Sequence, residues 1–167
     1  PKFIFYKTKS WKKVDKESQK SFEFFIKTFE KNIEVFDTPS YFDDIPKYHK
    51  IIHETDMANN FQVYYKKSKK KLSKEMISAI ERGLKYSAKE YAEAIDFMKR
   101  SYESYKEVFE DYHGVLSPAT TGVADKGLKS TGSPEFCTVW TYMGLPSISL
   151  PLLVGTNNLP LGIQLVG

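Results

Sequence analysis

The stretch from Ser133 to Gly167 leaves its backbone few choices. Pro134 suits the first residue of a helix, where a missing N–H removes no bond, and Ser133 before it reads as the cap. Phe136, Trp140 and Met143 then recur at helical spacing. Gly144 fits the left-handed position that closes a helix, and Pro146 forbids its continuation. Ser147 to Leu153 and Leu161 to Val166 read as strands, joined by the turn residues Gly155-Thr-Asn-Asn158. A helix, a hard stop and two strands must therefore follow one another here.

The remainder is read by periodicity. Phe3 to Lys7 is aromatic and β-branched, as a buried strand requires, and Trp11 lies in the loop after it. Asp15 is a cap for a helix of about four turns whose face carries Phe22, Phe25, Ile26, Phe29 and Ile33 at helical spacing, and Ile33 to Phe36 is the next strand. Strand, helix, strand with short connections is a βαβ unit. Asp43 to Tyr65 is helical in pattern and runs into Lys66-Lys-Ser-Lys-Lys-Lys71, whose charges repel and face water. From a Ser73 cap, apolar and aromatic residues recur every three or four positions from Met76 to Phe109, which predicts one long helix. Gly83 weakens that helix by up to about 1 kcal/mol without breaking it. Gly114 to Ser117 is a short strand ended by Pro118, and residues 119 to 132 form a small-residue loop. The expected class is α/β: a mixed β-sheet covered by helices, with a helical insertion at about 43–113.

With 167 residues the chain has the length of one domain. Its formal charge of +4 bears on solubility and weak attraction to anions, not on fold. A single cysteine rules out an internal disulfide and fits a reducing compartment. No apolar run reaches the roughly 20 residues that span a bilayer. The chain opens on Pro1-Lys-Phe without an initiator Met and stops on a strand, so both ends read as cuts through a larger protein.

Several spaced motifs carry a resemblance. They are Gly132-Ser-Pro-Glu-Phe136, Trp140, Gly144-Leu-Pro146, Ser147-Ile-Ser-Leu-Pro151 and Leu159-Pro-Leu-Gly-Ile-Gln-Leu-Val-Gly167, with Leu116-Ser-Pro-Ala-Thr120 upstream. Together they resemble the C-terminal part of the amidase signature family of amide hydrolases. The strand and helix from Pro1 onward resemble the segment after that family's catalytic core. Ser133 departs from the pattern, since many members carry Asp there, and the family's last helix has no counterpart after Gly167. The resemblance implies that residues 1–167 are the C-terminal part of a single amidase domain.

It also implies a chemistry whose residues lie elsewhere. The family uses a Ser nucleophile, a bridging Ser and a neutral Lys base within a Gly/Ser-rich signature. Here none of the nine glycines are adjacent and no two serines are, so that signature is absent. No catalytic residue is assigned in this chain, and the chain alone is expected to be inactive. By family position, Ser133, Phe136 and Trp140 are candidates for substrate contact. The same three residues also read fully as a cap and two core aromatics. The resemblance implies a small-molecule amide substrate and no cofactor. Strand edges left unpaired predict self-association, hence a homo-oligomer. The lack of a long apolar run and the single cysteine lead to the expectation of no membrane span and a cytoplasmic location. Two alternatives remain open: the amidase subunit of a tRNA-dependent amidotransferase, or a non-catalytic interaction module derived from an amidase. The lysine run offers phosphate contact, but a solvated loop accounts for it, and nucleic-acid binding is not expected.

Other constellations carry little. His49 and His53 share a helix face at a spacing metals use, yet Lys50 stands where the zinc-protease motif has Glu and no third ligand is evident. No metal site is expected. His113 and Cys137 offer a thiol–imidazole pair only on paper, since a lone cysteine is usually packing. Ser10-Trp-Lys-Lys13 and Ser68-Lys-Lys-Lys71 match Ser-x-x-Lys, which carries almost no information in so lysine-rich a chain.

Overall fold

The computed structural model describes residues 1–167. The chain divides into two compact units, residues 1–43 with 102–167, and residues 44–101. The first carries five strands: β1 (Phe3–Lys7), β2 (Ile33–Asp37), β3 (Val115–Pro118), β4 (Ser147–Val154) and β5 (Pro160–Val166). The helices, in chain order across both units, are α1 (Lys16–Thr28), α2 (Ile45–Asn60), α3 (Gln62–Ser68), α4 (Lys74–Gly83), α5 (Ala88–Lys106), α6 (Val108–Asp111) and α7 (Glu135–Met143). The class is α/β, as expected.

The sheet order is β2-β1-β3-β5-β4. β1 pairs in parallel with β2 and β3, while β5 pairs antiparallel with β3 and β4. The parallel β1–α1–β2 connection follows from the sequence: Asp15 accepts from the Glu17 and Ser18 amides at 3.1 and 2.9 Å, satisfying two donors at the start of α1. α1 turns its apolar stripe to the sheet. There Phe22 joins Phe5, Val14, Ile33, Leu116, Phe136, Leu161 and Ile163 in a buried cluster. Pleating sends Ile4 and Tyr6 to the opposite side of β1. Tyr6 lies 5.8 Å from Phe42, ring centroid to ring centroid, and Phe42 packs in turn against Tyr105 and Trp140.

β2 and β4 form the two outer edges. β4 is mostly exposed, with Ile148, Leu152 and Val154 all more than half accessible. Its turn into β5 rests on Asn157 and Asn158 at φ 58° and 57°, a left-handed conformation that Asn tolerates.

The second unit is helical. α2 packs against α4, and the contact is set by Gly83: a Cβ there would lie 1.9 Å from the Glu54 carbonyl oxygen. Gly83 is thus required for the close approach of two backbones, a role its expected helix-weakening effect did not suggest. Glu54, buried in α2, accepts from Arg82 Nε and Nη2 at 2.8 and 2.6 Å and from the Tyr86 hydroxyl at 3.2 Å.

Strand ends differ from expectation by a residue, β3 for example including Pro118 rather than stopping before it, and three further differences lie at helices. The long helix from Ser73 to Phe109 is divided into α4, α5 and α6. The first break is local chemistry, because Ser87 and Glu90 form a capping box: Ser87 N donates to Glu90 Oε2 at 2.8 Å, and Glu90 N to Ser87 Oγ at 3.2 Å. The helix through Asp43 to Tyr65 is likewise broken at Phe61, whose φ of −103° and ψ of 9° leave the α region. Finally, Pro134 takes the cap position of α7 and Ser133 precedes it, because the Pro134 carbonyl accepts the first helical bonds from Cys137 and Thr138. The lysine run is exposed, but Lys69 is engaged, bonding Glu81 at 2.7 Å and lying over the Tyr65 ring. No helix is long and apolar enough to cross a membrane.

Candidate functional site

α7 carries the three candidate contact residues. Ser133 is half-buried, and its hydroxyl accepts from the Glu135 amide at 3.4 Å, a weak bond at the helix entrance. Phe136 is 2% exposed and Trp140 is 1% exposed. Phe136 belongs to the cluster under α1, whereas Trp140, one turn on, packs against Phe42 and Tyr105 at 6.0 and 5.6 Å. The Trp140 indole donates to Ser117 Oγ at 3.2 Å. Both aromatics are therefore sealed within their own unit in this chain.

Phenols crowd that aromatic layer. Burial pushes the Tyr6 and Tyr105 hydroxyls above their ordinary range, and Tyr41 is pushed up to about 12 by burial, then by Tyr6 and Glu107. All three stay protonated at neutral pH. The Tyr105 hydroxyl is buried without a partner, an unmet donor beside Trp140.

A polar chain joins α7 to β5 and includes none of the three candidates. Gln164 of β5 donates to Ser147 Oγ at 3.2 Å and to Cys137 Sγ at 3.8 Å, and the Cys137 thiol donates to the Ala119 carbonyl at 3.6 Å. The Gln164 carbonyl oxygen is buried and unpartnered. The signal was a single amide in the otherwise apolar strand Leu161 to Val166. Cys137 is thus committed to packing and weak hydrogen bonds. His113 bonds the Lys2 backbone instead, its Nδ1 accepting from the Lys2 amide at 3.3 Å, so the two residues form no thiol–imidazole pair.

His49 and His53 do stack on α2, with ring centroids 5.6 Å apart and planes 9° from parallel. Burial, and then the neighbouring His53, lower the His49 pKa. No group of three or more His, Cys, Asp or Glu side chains is placed to hold a metal ion.

A recess of about 420 Å³ opens on the sheet between Phe3, Phe25, Phe29, Leu116, Leu150 and Leu152. It includes none of the three candidates. Its walls are almost wholly apolar, whereas a ligand site needs a few placed polar groups. It reads as sheet surface without a cover.

Comparison with known proteins agrees with this geometry. A glutamyl-tRNA(Gln) amidotransferase subunit of Alkaliphilus metalliredigens (strain QYMF) is 31% identical over 84 residues, covering 46% of this chain and 17% of its own length. Its counterpart from Halothermothrix orenii is 35% identical over 71 residues, covering 39% of this chain and 15% of its own. A crystal structure of an amidase superposes with a TM-score of 0.79 at 17% identity, over 98% of this chain and 41% of the other. The corresponding glutamyl-tRNA(Gln) amidotransferase subunit of Thermotoga maritima gives 0.68 at 21% identity, over 99% of this chain and 38% of the other. The chain therefore spans about two fifths of the solved relatives it resembles in fold, and less than a fifth of the curated relatives. The family model for amidases, matched from residue 2 to residue 167, accounts for the sheet and for the helices together, and the chain belongs to the amidase family.

Proposed function

We propose that these residues are the C-terminal part of an amidase that cleaves a carbon–nitrogen amide bond with a Ser-Ser-Lys triad lying outside this chain. The observation that carries the reading is a family match along the whole chain combined with the absence of any Gly/Ser-rich nucleophile segment. An amide carbon demands an activated nucleophile and donors for the oxyanion. Here the buried Ser117 hydroxyl is held by Trp140 and has no base beside it.

In this reading the chain supplies scaffold and one wall of the acyl pocket, with Ser133, Phe136 and Trp140 as its contacts. The burial of Phe136 and Trp140 favours a supporting role, with Ser133 as the residue nearest to solvent. Because position 133 is not Asp, a substrate that needs a carboxylate partner for its amine is disfavoured. Location in the cytoplasm and assembly with further copies belong to the same proposal.

The coding sequence upstream of Pro1 tests it. A Gly-Gly-Ser-Ser-like stretch with an earlier Lys supports the hydrolase, and its absence supports a binding module. A second reading, the amidase subunit of a tRNA-dependent amidotransferase, is favoured by the curated relatives at 31–35% identity, which carry that description. Filter binding to tRNA at low and high salt separates the two, since phosphate contacts weaken steeply with salt.

A further inference from the structure

β1 and β2 run parallel and in register, so Lys7 and Asp37 end side by side on one rim of the sheet. The carboxyl ends of β1 and β2 thus meet at this rim. At this rim the turn after β1 and the segment after β2 enclose a cleft of about 310 Å³, lined by Lys7, Thr8, Trp11, Lys12, Asp37 and Asp43, among others. One charge pair closes a wall: Lys9 Nζ lies 2.6 Å from Asp43 Oδ2.

The remaining charges are not spent on one another. Lys7 neighbours Asp37 across the strands, yet its ammonium sits over the Trp11 ring, 5.1 Å from the centroid. Asp37 and Lys12 make no ion pair. The Thr8 hydroxyl is buried and has no hydrogen-bond partner. Two cations, one carboxylate, one unmet hydroxyl and an indole face thus share a small cleft. A simple anion meets Asp37 there, and a simple cation meets Lys7 and Lys12. A molecule carrying both charges satisfies all of them.

We propose that this cleft binds a small zwitterion of the α-amino-acid class. Its ammonium pairs with Asp37 beside the Trp11 ring, and its carboxylate is held by Lys7, Lys12 and the Thr8 hydroxyl. The proposal is independent of the amide-hydrolysis reading, since none of these residues is offered as pocket wall or catalyst.

The chain has two tryptophans, which gives a direct assay. In ¹H–¹⁵N spectra of the 167-residue chain, the Trp11 indole signal should move saturably with glycine. The Trp140 signal, buried and bonded to Ser117, should stay in place and report an intact fold. Acetate and methylammonium, each carrying half of glycine's charge pattern, should bind at least about tenfold more weakly. D37N should weaken glycine about tenfold while sparing acetate, whereas K12Q should weaken both. Equal titration by glycine and acetate would show a plain anion site and overturn the proposal. A Trp11 signal that ignores glycine while Trp140 stays dispersed would overturn it too.

Discussion

The sheet unit and the helical unit are built from different kinds of sequence instruction. In the sheet unit, element ends are written as single residues with one backbone meaning. Gly144 closes α7 at φ 71°, and Asn157 and Asn158 turn β4 into β5 at positive φ. In the helical unit, apolar periodicity runs on through real breaks, and the ends are set by side-chain bonds such as that between Ser87 and Glu90. A period reports which face is buried. It does not report where the helix stops, because a cap three residues long leaves the period intact.

This contrast can be challenged experimentally, beginning with the largest effect. W140A should destabilise the sheet unit by about 4 kcal/mol, since it empties a fully enclosed site shared with Phe42 and Tyr105 and strips Ser117 of its donor. Urea denaturation measures it, and a loss below about 1 kcal/mol would mean that the α7 aromatics are not core. G83A gives a test of sign in the helical unit. Helix propensity alone predicts a gain of up to about 1 kcal/mol. The approach of the Glu54 carbonyl predicts a loss of about 3 kcal/mol, because backbone cannot move aside as a side-chain tip does.

S87A is the subtler version. One uninterrupted helix would be strengthened by alanine at that position. A capped helix start should instead lose about 1 kcal/mol, read from the same denaturation curves. The smallest effect is pH dependence. His49 binds its proton less readily when folded than the ordinary 6.5, so the unfolded chain takes up more protons as pH falls. Stability should be flat above that value and decline as pH drops through it and toward the lowered folded pKa. H49Q should remove that decline while leaving the plateau unchanged.

Much of the sheet unit was legible beforehand for these reasons. The strands, the α/β class and the α1 cap follow from Phe5, Asp15, Phe22 and Pro146, each of which has a local meaning. The shift at Ser133 and Pro134 is a difference of one residue, decided by which carbonyl accepts the first helical bond. What was not legible depends on residues far apart in sequence: Gly83 against Glu54, or Gln164 linking Ser147 to Cys137. Candidate contacts at Phe136 and Trp140 were named by family position, and no property of the residues themselves separates a pocket wall from a core.

On the proposed reading, this chain contributes framework to amide hydrolysis and none of its chemistry. Purified 1–167, folded by the criterion of a cooperative urea transition, should be incubated with a panel of aryl and alkyl amides and the released amine quantified. No release above buffer is expected. Turnover that scales with the amount of chain and persists through purification would contradict that reading.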